Sequence, residues 1–69
     1  MLSQSLEGKR VKIICTDGEE FEGIVSDYIF PDDNEPEGIA AIYIEDCTQR
    51  PGLCIGFNED EIESIEVLG

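Results

Sequence analysis

Histidine is absent from this 69-residue chain, and lysine and arginine together number four against seventeen aspartates and glutamates. Without an imidazole, a cysteine lacks its usual base for nucleophilic chemistry. Zinc chemistry is disfavoured too, because Cys47 and Cys54 are too far apart for a two-cysteine knuckle and no histidine can complete a ligand set. The shortage of cations weighs against a general RNA- or DNA-binding surface, since that affinity comes mostly from phosphates neutralised by Lys and Arg. The net charge is −13 and spread along the whole chain, with Lys9, Arg10 and Lys12 clustered and Arg50 alone. Acidity for solubility explains this spread most simply.

Three cysteines (Cys15, Cys47, Cys54) cannot pair completely, which argues against a disulfide framework. Met1 to Ser5 hold neither a basic stretch nor an apolar run, so no export signal is expected and the cytoplasm is the expected compartment. No run approaches the roughly 18 apolar residues of a membrane span. No cofactor is implied.

What is present is a globular apolar fraction of 41% on a chain near the lower size limit for a self-sufficient core. With disulfides and metals disfavoured, association with a second copy becomes the leading source of added stability.

The patterning predicts an all-β chain in one domain over residues 1–69. Leu2 to Gly8 suits one helical turn, with Gly8 just past its end. From Lys9 the period is two: Val11, Ile13 and Cys15 alternate with Lys12, Ile14 and Thr16. Asp17-Gly18 then signals a hairpin, read here as a type I′ turn with positive φ at both central positions. The return strand runs from Glu20 to about Phe30, with Phe21, Gly23 and Val25 on one face. Gly23 inside that strand marks a bend or a close approach of another backbone. Residues 31–38 form an acidic loop. Ile39 to Ile44 is almost wholly apolar and predicts a strand covered on both faces. Leu53 to Phe57 predicts a fourth strand with Leu53, Ile55 and Phe57 on one face. Asn58 caps a polar turn, and Ile62 to Leu68 predicts a fifth strand with Ile65 and Val67 inward. Cys15 and Cys54 read as core fillers, and Cys47, in a turn, as the exposed thiol.

Leu6-x-Gly8-x-x-Val11-x-Ile13, then Asp17-Gly18, Phe21-x-Gly23 and Asp27, resembles the first conserved motif of the Sm and Sm-like proteins. Phe57 through Glu61-Ile62-x-x-Ile65-x-Val67 resembles their last two strands, joined by a tight turn. The resemblance implies a small, strongly bent, five-stranded SH3-like barrel. It also implies rings in which the fourth strand of one subunit pairs with the fifth of the next, and, in many members, RNA binding at the pore. The RNA-binding signature is not reproduced. Asn34 stands alone in the loop before Ile39, and Ile55-Gly56-Phe57-Asn58 keeps a glycine and an asparagine but no basic residue.

Three functions remain. The first is a non-enzymatic, homo-oligomeric scaffold or protein-interaction module, with Leu53, Ile55, Phe57, Ile65 and Val67 as the subunit interface. Those edge strands hold no lysine and little charge, which leaves them open to strand addition. Apolar outward residues such as Ile14 and Ile24 add to the surface that needs a cover. The second is RNA binding through Lys9, Arg10, Lys12 and Asn58. The third is an acidic decoy for a basic partner protein. The acidic loop 32–37 lacks the glycine and the closing glutamate of an EF-hand and reads as a solvated loop.

Overall fold

A computed structural model describes residues 2–49 and 51–69. Regular alternation organises the first half. β1 (Arg10–Cys15) and β2 (Glu20–Ile29) pair antiparallel, with Val11 opposite Gly23 and Ile13 opposite Phe21. Val11, Ile13, Phe21 and Val25 are buried, while Lys12, Ile14, Glu22 and Ile24 between them are half-buried. β3 (Ala41–Glu45), β4 (Ile55–Asn58) and β5 (Ile62–Val67) complete one antiparallel sheet in the order β4-β3-β2-β1-β5. A 3-10 turn over Gln4–Leu6 precedes it, as the helical-turn reading anticipates, and buries Leu6. The chain start is clipped to β2 by Gly8 N–H donating to the Val25 carbonyl at 2.8 Å.

The sheet curls over its own concave face. Phe21 on β2 and Phe57 on β4, two strands apart, bring their rings to 5.3 Å, within the range of favourable aromatic pairs. The pairing register shifts between Val25 and Asp27 on β2, and again between Ile14 and Cys15 on β1, and such bulges bend strands and increase their twist. Val11, Ile13, Ile42 and Ile44 at the centre are fully buried. The ladder itself is open: among the described residues β4 pairs only with β3 and β5 only with β1, so no hydrogen-bonded closure into a barrel forms.

Several local expectations are corrected. The hairpin turn is not type I′. Gly18 N–H donates to the Cys15 carbonyl at 2.9 Å and Cys15 N–H to the Glu19 carbonyl at 2.8 Å. Of the turn residues only Gly18 has positive φ, at 90°. That is a three-residue loop with its glycine in the left-handed position, and Asp17 Oδ1 accepts the Glu19 N–H at 2.9 Å to hold it.

β3 is not covered on both faces. Ile42 and Ile44 face the core and Ala41 on the outer face is buried at the strand's start, but Tyr43, further along that outer face, is 42% exposed. β4 starts only at Ile55, leaving Leu53 and Cys54 in the exposed segment before it. On β5, Ile62 is buried and Ile65 half-buried, but Val67 is 46% exposed, since β5 crosses the core only at its start.

The cysteine assignment also changes. Cys47 is 1% exposed and Cys54 is exposed. The cause lies at Gly23. A Cβ there would sit 2.8 Å from the Glu45 carbonyl oxygen and 3.4 Å from the Cys47 Cα. The missing side chain lets the segment after β3 cross β2, where Thr48 N–H donates to the Glu22 carbonyl at 2.9 Å. Asp46, in the left-handed region at φ 52°, turns the chain so that Cys47 enters the core. The close backbone approach anticipated at Gly23 is therefore present, and it is what buries the thiol.

Candidate interaction surfaces

Both outer strands leave one edge without a strand partner. β4 contributes Ile55, half-buried, and Phe57, buried against Phe21; β5 contributes Ile65, half-buried, and Val67, exposed. Leu53, 56% exposed, precedes β4 rather than lying in it. Of the five residues assigned to a subunit interface, Phe57 is thus committed to the core, and Leu53, Ile55, Ile65 and Val67 retain exposed surface. Neither edge holds lysine or proline and each presents unpaired backbone groups for strand addition, although β5 carries Glu63 and Glu66, charges of the kind that guard an edge.

The basic cluster is mostly neutralised within the chain. Arg10 Nη2 donates to Asp46 Oδ2 at 3.0 Å, and its Nη1 to Glu22 Oε2 at 3.4 Å. Lys12 Nζ lies 3.2 Å from Glu20 Oε1. Lys9 is exposed and makes no ion pair among the described residues. The fourth residue of that group, Asn58, sits on β4, three strands from β1 in the sheet. Its partners are Asn34 and Glu61, and neither carries positive charge. Arg50 lies outside the described residues.

Asn58 is instead the centre of a polar junction. It opens the 3-10 turn Glu59–Glu61 through a capping box with Glu61, as the sequence suggested. Its backbone N–H donates to Glu61 Oε1 at 2.9 Å, and its Oδ1 accepts from Asn34 Nδ2 at 3.0 Å. Asn34 also donates to the Ile39 carbonyl at 2.8 Å, which ties the acidic loop to the start of β3. Within that loop, and among the described residues generally, no three acids or cysteines are grouped to hold a metal ion.

Beside this junction the outer face of β3 and β4 carries an open groove of about 420 Å³. Ile29, Ala41, Tyr43 and Gly56 are among the residues that line it. Asp33, Asn34, Asn58 and Glu61 form the polar end. The groove escapes a reading that treats Ile39 to Ile44 as uniformly apolar. The available signal is Tyr43 between Ile42 and Ile44, since alternation on a strand places it on the opposite face.

The thiols carry no visible chemistry. Burial raises the Cys15 thiol above its ordinary range, and the nearby carboxylates of Asp17, Glu19 and Glu61 raise it further. That holds it protonated, the reverse of what a reactive thiol needs. Cys54 Sγ lies 3.8 Å from Ser26 Oγ. Among the described residues no helix is long and apolar enough to cross a membrane.

No family model, curated protein sequence or solved structure matches this chain.

Proposed function

We propose that this chain is a non-enzymatic, Sm-like interaction module, a strongly bent, open five-stranded sheet of the small-barrel type that assembles with copies of itself by strand addition. The observation that supports it most directly is the pair of open edges. β4 and β5 end the sheet on opposite sides, antiparallel to their neighbours, with Ile55 on one and Ile65 and Val67 on the other. Pairing β4 of one copy with β5 of the next satisfies both rows of backbone groups and covers the apolar side chains beside them. A core this small gains most from such a cover.

Charge opposes the assembly. Each copy brings a net −13, so screening by salt favours association. Sedimentation velocity at micromolar concentration, in low and in moderate salt, tests the proposal. Species larger than one chain are expected, increasing with salt. Val67→Pro removes a backbone donor from the β5 ladder and is expected to shift the population to monomer. A strict monomer at every salt concentration would sink the assembly.

The RNA reading finds less support, because Arg10 and Lys12 already face Asp46, Glu22 and Glu20. A titration with uridine- or adenine-rich oligonucleotide at low salt is expected to show no binding.

A further inference from the structure

The groove on the outer face of β3 and β4 combines features that the edge-pairing proposal does not use. On one side stands the Tyr43 ring, 42% exposed. It lies over Gly56, where a Cβ would be only 2.7 Å from Tyr43 Cε1, so the absent side chain leaves room for the ring. At the other end stand the amides of Asn34 and Asn58, held by the bonds to each other, to the Ile39 carbonyl and to Glu61. Asp33 and Glu61 add two carboxylates, and among the described residues no lysine or arginine lines the space. Its volume, about 420 Å³, falls in the range of ligand clefts.

The charge decides the class of occupant. Phosphate is repelled by the two acids and by the net −13 of the chain, whereas a cation is attracted. The exposed ring then separates the two biological cations. A planar guanidinium stacks on an aromatic face while its N–H groups reach carboxylate or amide oxygens, whereas an ammonium is a compact, strongly hydrated point charge. We infer that this groove receives an arginine side chain from a basic segment of a partner protein. The guanidinium lies against Tyr43, and its donors are directed to Asp33, Glu61 and Asn34 Oδ1, since Asn58 Oδ1 already accepts from Asn34 and from the turn it caps.

The groove opens on the face of the sheet, but Gly56 and Asn58 in its lining lie on β4, the strand whose edge the assembly would pair, so the association state is followed alongside binding. The test is a titration of the isotopically labelled full chain with the peptide Gly-Arg-Gly-Arg-Gly and its lysine counterpart, at moderate salt. Shifts of the amide signals are expected to concentrate at Asn34, Tyr43, Gly56 and Asn58, with the arginine peptide binding more tightly. Tyr43→Leu and Asp33→Asn are each expected to weaken binding about two- to five-fold. Glu66→Gln, on β5 at the far end of the sheet from β4 and outside the groove lining, is expected to leave it unchanged.

Equal binding of both peptides, with shifts spread over all acidic positions, would overturn the inference in favour of diffuse charge attraction. The same shifts produced by a uridine-rich oligonucleotide would overturn it in favour of a base. If Tyr43→Leu fails to fold, Asp33→Asn at the exposed loop decides alone. Sedimentation in the same buffer keeps the two proposals apart: a monomer that binds the arginine peptide removes the assembly and leaves the groove.

Discussion

The β1–β2 hairpin and the β3–β4 pair are built from similar apolar residues, yet they use them differently. β1 and β2 each have a strand on both sides, and their side chains alternate between buried and half-buried without interruption from Arg10 to Val25, apart from the exposed turn. β4 has a neighbour on one side only and keeps four residues in the ladder. Leu53 just before it and Tyr43 opposite it are exposed. Hydrophobicity is similar in both regions; the number of neighbours is not. Flanking strands alone do not decide burial, since β3 has a strand on both sides and its Tyr43 is still exposed, while Phe57 on β4 is buried; the face a residue occupies decides with them.

The largest expected effect asks whether the two regions nevertheless share one core. Ile13 on β1 and Ile42 on β3 are both fully buried. Truncating either to alanine is expected to cost about 2–5 kcal/mol. For so small a domain that is a large part of the roughly 5–15 kcal/mol of a typical stability. Urea unfolding followed by circular dichroism should show Ile13→Ala and Ile42→Ala comparably crippled. If Ile42→Ala were mild, β3 and β4 would form a peripheral unit, and the difference between the regions would extend to their cooperativity.

Two glycines differ in what an added methyl group would meet. At Gly23 an added methyl group meets the Glu45 carbonyl oxygen at 2.8 Å, which is backbone. At Gly56 it meets the Tyr43 ring at 2.7 Å, the end of an exposed side chain. Gly23→Ala is therefore expected to cost about 1–3 kcal/mol by overpacking, and Gly56→Ala clearly less, because the ring can swing away. Denaturant midpoints of the two variants measure the difference. Equal costs would mean that the Tyr43 ring is held as firmly as the backbone that crosses β2.

This contrast also explains what was legible in the sequence. The hairpin could be read because its strands alternate in a pattern that only one register buries. Gly23 could be read because a glycine inside a strand has few other reasons to be there. The type of turn could not, since Asp-Gly serves both a two-residue loop and the three-residue loop found at Thr16-Asp17-Gly18. The reversed exposures of Cys47 and Cys54 depend on where the segment after β3 crosses, a tertiary fact with no local signature. The groove was missed for a related reason: Asn34 and Asn58, 24 positions apart, meet only once the loop folds back on β4.

The smallest effect in free energy concerns the thiols, one for each kind of environment. Cys15, in the hairpin, is buried and held protonated by burial first and then by Asp17, Glu19 and Glu61. Cys54, beside β4, is exposed. Iodoacetamide under native conditions is expected to label Cys54 rapidly, with Cys15 and Cys47 reacting only as the chain opens; Cys54→Ser should remove the fast phase. The raised Cys15 pKa fixes the sign of a pH effect. Between the ordinary thiol pKa and the raised one, the folded chain binds more protons than the unfolded chain, so stability falls as pH rises through that window and is flat below it. Urea midpoints across the alkaline range are expected to decline in the wild type and to decline less in Cys15→Ala. If the two slopes agreed, neither burial nor the carboxylates at the end of the hairpin would be raising the thiol pKa. The hairpin would then be as open to water at its turn as β4 is along its edge.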